Sequence, residues 1–461
     1  MHKNRVKLGV AATRRNIFSR EDAIKHKNII LKTICDIGID YVDIEWLNDD
    51  GLLYDASFVD SVAEKFKQEK VDALFIPHCN FGCEEAVCKL AKKMDVPVLL
   101  WGPRDETPEP DGLRLRDSQC GLFATSKVLQ RMCIPFTYIE NCWVTDIKWQ
   151  DELIKFIRVV SVVKSFRNMK IGQIGTRPGD FWSVMCNESE LLEKFNIETV
   201  PYTLAELADN MNLKLKDKEK LEPVVEYINL NFSFDFTDEV IYKIAAMKET
   251  IYEWAQKNEL SAVAIQCWNA MQDITGIMPC AVNAMLADEG LPVVCETDIC
   301  GAISAVLASA AFEFKEPVFF ADLTVRHPTN DNAELLWHCG SFPASLKRGD
   351  VSANLSHHYT LPTECPGACE WELKQGEVTI VRFDSVGGRY SLLAAKGQGV
   401  DGPKCRGTYL WTEFKDWASL EKKFIYGPYI HHVAGIYGDA VPILEEALRY
   451  MSGVANDIYN G

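Results

Sequence analysis

The chain reads as an α/β protein: two Rossmann-like parallel-sheet domains followed by a mostly antiparallel β C-terminal domain. Three observations predict this. Through the first 150 residues short apolar runs alternate with amphipathic stretches, the rhythm of α/β layers around a parallel sheet. A second series of the same kind starts near Lys170. From Pro317 onward the runs become strand-like, separated by loops rich in Gly, Pro and His. The domains are accordingly placed at 1–160, 161–316 and 317–461.

The elements follow in order. Residues 6–12 read as the first strand, 21–37 as a helix stopping near Gly38, and 41–46 as a second alternating run. Residues 73–77 and 97–102 continue the rhythm with helices between them. A long connecting helix is expected over 146–166, then a strand at 170–175. The apolar runs at 262–267 and 292–297, flanked by turn residues, are expected at the centre of the second sheet. In the last domain 318–325, 377–383 and 390–395 read as strands, and 440–451 as a closing helix. No internal repeat or low-complexity segment interrupts this.

Composition narrows the function. The 461 residues are 47% hydrophobic and 25% charged, and the net charge is −17. A substantial core is expected, and a nucleic-acid backbone would be repelled. No apolar run approaches the ~20 residues needed to span a bilayer, and the N-terminal residues lack the apolar stretch of a signal peptide. Sixteen cysteines are scattered singly, without a CxxC pair, which reads as a reduced cytosolic pool. The expectation is a cytoplasmic protein without nucleic-acid or membrane partners. There is no GxxxxGK[ST] loop and no GxGxxG after a strand, so nucleotide chemistry lacks its cradle. Residues 172–179, GQIGTRPG, read as a structural turn.

The most informative stretch is PVVCETDICG, residues 292–301. An apolar strand ends in Glu296 and Asp298, which, two residues apart on a strand, are expected to share a face. Ligands in open α/β sheets bind beyond the carboxyl ends of strands. Two carboxylates this close repel, and a divalent cation would resolve the conflict. The competing reading is a helix N-cap at Thr297 or Asp298. A second cluster, YGPYIHHVAGIYGD at 426–439, places His431 beside His432. Neighbouring residues of a strand point to opposite faces, so one of them is expected to ligate a given centre. Imidazole with carboxylate oxygen suits Mn²⁺, Zn²⁺, Fe²⁺ or Co²⁺. The third, residues 319–340, holds Asp322, Arg326, His327, Asp331 and His338. Most of these read as groups that fix loops, and His338 is the functional candidate. In the first domain Arg14 and Arg15 follow the first strand, and Asn80 with Gly82 the third; arginine there suits an anionic or hydroxyl-rich ligand.

With these segments in hand, the chain resembles the L-fucose isomerase and L-arabinose isomerase superfamily, in particular its shorter L-fucose isomerase-like members. The likeness lies in the order AIQCW (264–268), PVVCETD (292–298), FFADLT with HCG (319–340) and HHVAGIYGD (431–439). It implies an aldose–ketose isomerase dependent on a divalent metal, usually Mn²⁺, held by two acids and a histidine. By motif, His432 matches the ligand histidine, His431 a substrate-contacting position, and Asp298 one acid. Many relatives read CWPE where this chain has CWNA at 267–270, so Glu296 or Asp273 must replace the second acid. The resemblance further implies a homo-oligomer, often a hexamer, in which Arg14 reaches a neighbouring subunit's site.

The expected mechanism moves a carbonyl between C1 and C2 of an open-chain sugar through a metal-stabilised cis-enediolate. Asp298 and Glu296 share metal binding and proton transfer, His432 completes the metal shell, and His338, Gln266 and Trp268 line the sugar. L-fucose and D-arabinose are expected substrates. Arg14 and Arg15, with Arg104 and Arg326, also suit a hexose with an anionic 6-substituent such as sulfoquinovose. Two other classes compete: a non-catalytic two-lobed sugar-binding protein, which a metal analysis would exclude, and a metal-dependent aldolase or epimerase, which product analysis would separate.

Overall fold

A computed structural model of the protein describes residues 5–268, 270–359 and 365–460. The chain divides into two compact units, Asn4–Lys164 and Ser165–Gly461. The first holds a parallel sheet of β1 (Lys7–Val10), β2 (Asp40–Val42), β3 (Ala73–Pro77), β4 (Val98–Trp101) and β5 (Thr137–Tyr138), in the order β2-β1-β3-β4-β5. Helices Arg20–Asp36, Val59–Gln68, Glu84–Met94 and Ser118–Arg131 cover it. Their apolar residues recur at helical spacing. Val59, Val62, Ala63 and Phe66 lie at i, i+3, i+4 and i+7, and all four are buried against Leu74 and Ile76 of the sheet. The run at 41–46 keeps only two strand residues, Tyr41 and Val42.

Two glycines let layers meet. A Cβ on Gly9 would lie 2.8 Å from the Phe66 ring, and one on Gly121 would lie 1.7 Å from the Phe81 carbonyl oxygen. The second matters for the loop after β3, because Phe81 lies between Asn80 and Gly82 and the Arg15 guanidinium stacks on its ring at 4.0 Å.

In the second unit β6 (Lys170–Ile174), β7 (Glu198–Tyr202), β8 (Ala262–Ile265) and β9 (Val293–Val294) form a parallel sheet in the order β7-β6-β8-β9. Here the structure corrects one expectation: β8 is interior, but β9 is a two-residue edge strand. Its chain leaves the sheet at Cys295, for reasons that belong to the site.

The remaining strands are β10 (Phe319–His327), β11 (Asn330–His338), β12 (Asn354–His357), β13 (Pro366–Glu372), β14 (Glu377–Val386), β15 (Arg389–Val400), β16 (Thr408–Phe414), β17 (His432–Tyr437) and β18 (Val454–Asn456). The sheet closes on itself: β16-β11-β10-β17-β14-β15 runs antiparallel, and β15 returns to β16. Closure leaves these six strands as a barrel, with β12-β13 and β18 appended to it. Gly387 and Gly388, at φ 59° and 73°, form the two-residue turn between β14 and β15. The architecture is therefore two parallel-sheet α/β layers and an antiparallel β-barrel, as the sequence predicts.

The helix Ile299–Ala310 packs against β8 on one side and against β14 and β17 of the barrel on the other. All of its residues are buried, which explains why the run is apolar around its whole circumference. The closing helix at 440–451 is shorter than expected, ending at Ala447 with a 3₁₀ turn over Leu448–Tyr450. All sixteen cysteines are free thiols. No helix among the described residues is long and apolar enough to cross a membrane.

Gly121→Ala drives a methyl into a backbone carbonyl that has no rotamer to yield. It should destabilise the first unit by about 1–3 kcal/mol, seen as a lowered melting temperature; an unchanged one would show that the loop shifts freely.

Glu334 provides a second test. It is buried on β11 opposite Arg326, whose guanidinium instead pairs with Glu421 at 2.8 Å. Burial, only partly offset by Arg326, pushes its carboxyl up from 4.5 to about 7. Below pH 4.5 both states are protonated; as pH rises from there through 7 the unfolded chain ionises first and stability falls. Glu334→Gln removes that loss, so its thermal advantage over the parent should grow between pH 5 and pH 8. A constant difference would remove Glu334 as the source.

Candidate metal centre

Three segments meet at one imidazole. His432, fully buried at the start of β17, has its Nδ1 2.8 Å from Asp298 Oδ2 and its Nε2 2.8 Å from Glu296 Oε2 and 3.5 Å from Asp322 Oδ1. Asp322 is directly cross-strand from His432, which fixes their separation by register. Phe320, two residues earlier on the same face of β10, sets its ring edge-on to His432 at 5.2 Å. His431 stands outside the pleat, because β17 begins at His432, so the alternation rule does not separate the two histidines. Their rings lie 4.3 Å apart. A His431 nitrogen, an Asp322 oxygen and a His432 nitrogen all fall within 4.8 Å of one another.

The backbone around Glu296 is strained. Glu296 and Thr297 both adopt left-handed conformations, φ 61° and 55°, which cost non-glycine residues roughly 1–3 kcal/mol each. The end of β8 holds them there: Cys267 Sγ accepts the Glu296 N–H at 3.3 Å, and the Ile265 carbonyl accepts the Thr297 N–H at 3.1 Å. This double twist ends β9 early. It also overturns the expectation that Glu296 and Asp298 lie on one strand face: they reach opposite nitrogens of the same ring.

Asp298 is the N-cap of the helix Ile299–Ala310. Its Oδ1 accepts the Gly301 N–H at 2.8 Å and Arg382 Nη2 at 3.3 Å; its Oδ2 accepts Arg382 Nη1 at 2.5 Å and meets His432 Nδ1. A carboxylate offers about four acceptor positions, and all four are used. The Asp298 oxygens, expected to hold a metal and move a proton, here meet Arg382, His432 and the Gly301 N–H. Asp322, which the sequence reading left among the loop-fixing groups, reaches the same imidazole from β10, 3.5 Å from His432 Nε2.

Electrostatics agree with the geometry. Burial alone would lower the His432 pKa, but its contacts with Asp298 and Glu296 outweigh that and hold it up at about 10. Burial opposes ionisation of Asp298, yet Arg382 and His432 hold it well below the usual carboxylate range. For Asp322 burial wins, and the carboxyl is pushed up to about 6. Two carboxylates facing one nitrogen thus create a field that stabilises positive charge at that point. Asp322 Oδ1 and His432 Nε2 are buried without a hydrogen-bond partner, and the 2.8 Å approach of Glu296 to Nε2 lacks hydrogen-bond alignment. Two carboxylate oxygens and an imidazole nitrogen, converging with acceptor capacity unused, fit a divalent first-row ion.

The other candidate residues divide into two groups. In the second unit, His338 is buried at the end of β11, 6.3 Å from the Phe320 ring; its Nδ1 accepts the Cys339 N–H at 2.9 Å and its Nε2 is unpartnered. Gln266 Oε1 accepts the Thr176 N–H at 3.0 Å, so it holds the turn of 172–179. Trp268 packs against Phe181, and its buried indole N–H has no partner. Ala270 opens the helix Ala270–Thr275, which carries Asp273; Asn269 lies outside the described residues.

In the first unit, Arg14 is buried on Asp50 at 2.5 Å and stacks on Tyr54. Arg15 pairs with Glu84 at 3.2 Å. Asn80 Oδ1 accepts the Arg15 N–H at 2.7 Å and so braces the loop between them. Arg104 stacks on Trp143, and Arg326 pairs with Glu421. A second acidic group, Asp22, His26 and Glu106, contains its own cation: buried Arg116 lies 3.0 Å from Asp22 and 2.5 Å from Glu106.

Comparison with known proteins places this geometry. Residues 9–167 match the N-terminal domain of fucose/sulfoquinovose isomerase and residues 336–457 the C-terminal domain of L-fucose isomerase. The sulfoquinovose isomerases of Priestia aryabhattai and Priestia megaterium are each 29% identical over 399 residues, 86% of this chain and 86% of theirs. That of Alkalicoccus urumqiensis is 28% identical over 337 residues, 72% of this chain and 73% of its own. Among solved structures, a periplasmic solute binding protein from Actinobacillus succinogenes 130z with bound D-allose aligns at 13% identity over 66% of this chain and 91% of its own, with a TM-score of 0.17, too low to support an argument. The two matched domains, together more than half of the chain, and the full-length relatives agree with the motif order, and the chain belongs to the L-fucose isomerase superfamily as a sugar isomerase.

Proposed function

We propose that this isomerase is a divalent-metal-dependent aldose–ketose isomerase whose substrate is a hexose with an anionic group at C6, sulfoquinovose foremost. The observation that carries the reading is the convergence of Glu296 Oε2 and Asp322 Oδ1 on His432 Nε2. The substrate follows from the relatives, which are named sulfoquinovose isomerases over most of their length.

Glu296, Asp322 and His432 hold the ion, with Mn²⁺ the metal that the superfamily resemblance implies. When bound, it supplies Lewis-acid stabilisation of the negative charge that develops on the sugar's O1 and O2. The chain's own groups do the rest. The Glu296 carboxylate, fixed by its twisted backbone, takes the C2 proton and returns it to C1; Asp322 passes the O2 proton to O1. One C–H bond breaks, another forms, and the carbon skeleton is retained. His338 carries a proton at its unpartnered Nε2 and donates it to a sugar hydroxyl. Phe320 covers one face of His432 and keeps water from it.

Glu296→Gln and Asp322→Asn should each lose bound metal and lower kcat by about 100-fold or more, read by elemental analysis and a product assay. Asp322→Asn with parental metal content and turnover would return the role to another acid. Chelation should abolish turnover and Mn²⁺ should restore it.

Substrate choice is read separately. The kcat/KM for sulfoquinovose should exceed that for L-fucose by at least about tenfold, and NMR in D₂O should show deuterium entering at C1 of the ketose. Equal efficiency on both sugars would set aside the anionic substrate while leaving the isomerase intact.

A further inference from the structure

The turn at 172–179 carries an arginine that no acid neutralises. β6 ends at Ile174, and the chain turns over Gly175 at φ 73°. A Cβ on Gly175 would lie 2.5 Å from Gln266 Oε1, so glycine lets the turn lie against the end of β8, where that oxygen accepts the Thr176 N–H. Phe181, further along the same segment, meets Trp268 with ring centroids 5.4 Å apart. Arg177 is half-buried, and its Nη1 donates to the carbonyls of Pro178 and Gly179 at 3.1 and 3.0 Å. Its Nε–Nη2 edge is unengaged, and no carboxylate among the described residues lies within ion-pair distance of it. Arg14, Arg15, Arg326, Arg382 and Arg406 each have one.

Strand order decides what that charge faces. In β7-β6-β8-β9 the ends of β9, β8 and β6 stand side by side along the carboxyl edge of the sheet, where ligands of open α/β sheets bind. Glu296 follows β9, Trp268 follows β8 and Arg177 follows β6. Thr297 Oγ1 and Trp268 Nε1, on this edge, are buried without a hydrogen-bond partner among the described residues, as Asp322 Oδ1 and His432 Nε2 are at the metal centre. Unmet polarity therefore continues from the metal centre toward β6. Two inter-strand steps of about 4.8 Å separate β9 from β6, which sets the Arg177 turn on the order of 10 Å from the strand end that carries Glu296. A hexose with O1 and O2 at the ion extends its C6 substituent over that distance.

We infer that Arg177 binds the anionic group at C6 and sets the preference for a sulfonated hexose over its neutral counterpart. A guanidinium edge meets two oxygens of such a group at once, and it stays charged at every working pH. The sulfonate takes no part in moving the carbonyl, so the contact is made equally before and during the reaction and acts on KM. The inference rests on the proposed anionic substrate and names the residue that reads it.

The test compares sulfoquinovose with quinovose, the same sugar without the sulfonate, on the Mn²⁺-loaded full chain. The parent should show the lower KM for sulfoquinovose, and added salt should raise it. Arg177→Gln should raise that KM about 10–100-fold and lose at least about tenfold more efficiency on sulfoquinovose than on quinovose. Arg177→Lys, which keeps the charge without the fork, should fall between parent and Arg177→Gln. Should Arg177→Gln fail to fold, Arg177→Lys carries the same comparison. Equal losses on both sugars, or a loss in kcat alone, would assign Arg177 to holding its own turn and overturn the inference. An undiminished preference for sulfoquinovose in a folded variant overturns it as well and leaves the substrate reading standing. A parent that handles both sugars alike overturns both.

Discussion

The second unit is organised around a carboxylate with no acceptor position to spare. Asp298 receives a helix N–H, two guanidinium N–H groups and an imidazole. Each comes from a different part of the fold: the helix Ile299–Ala310, β14 and β17. Moving any of these three elements breaks a bond to Asp298, so the buried charge ties the layered domain to the barrel. Ion pairs of this kind contribute little net stability once desolvation is counted. The gain here is geometric, since the helix, β14 and β17 are brought to one point.

The same region concentrates strain and unsatisfied polarity where an apolar strand end would be cheaper. Two consecutive left-handed residues, a two-residue edge strand and buried polar atoms without partners all fall between Val293 and Asp298 or directly across from them. Such costs persist where surrounding structure over-determines them, and here Cys267, Ile265 and Gly301 do so from neighbouring elements. The continuous apolar helix that follows shares the load. Its small residues let β8 and the barrel approach from both sides, burying the first turn that Asp298 caps.

Much of this was legible in the sequence. Alternating apolar runs located β1, β3, β4, β6 and β8 to within two residues, overran β2 and β9 and passed over β5 and β7, and the change of texture after Pro317 marked the barrel. PVVCETD and HHVAGIYGD singled out Glu296 and His432, which the structure brings to 2.8 Å of each other. The reading faltered where backbone departs from the regular element. The period of two assumed for Glu296 and Asp298 fails once φ turns positive, and the opposite-face rule for His431 and His432 fails because only one of them is in the strand.

Asp322 and Arg382 show what a local reading cannot reach. Asp322 earns its place by pairing across β10 and β17 with His432, a register set 110 residues away in the chain. A signal was present: an acid directly after FFA at a strand's buried end conflicts with its apolar surroundings, and such conflicts mark functional positions. Arg382 carries the same signal in EVTIVRFDSV, where Arg and Asp share one face of a strand otherwise headed for the core. Neither conflict names its partner, because the compensating charge lies on another element and becomes visible only when the barrel closes. The buried charges are thus intelligible only as a set. Removing Asp298 from the arrangement strands Arg382, Asp384 and His432 together, which is why its cap bond, its ion pair and its hold on the imidazole cannot be assigned separate energies.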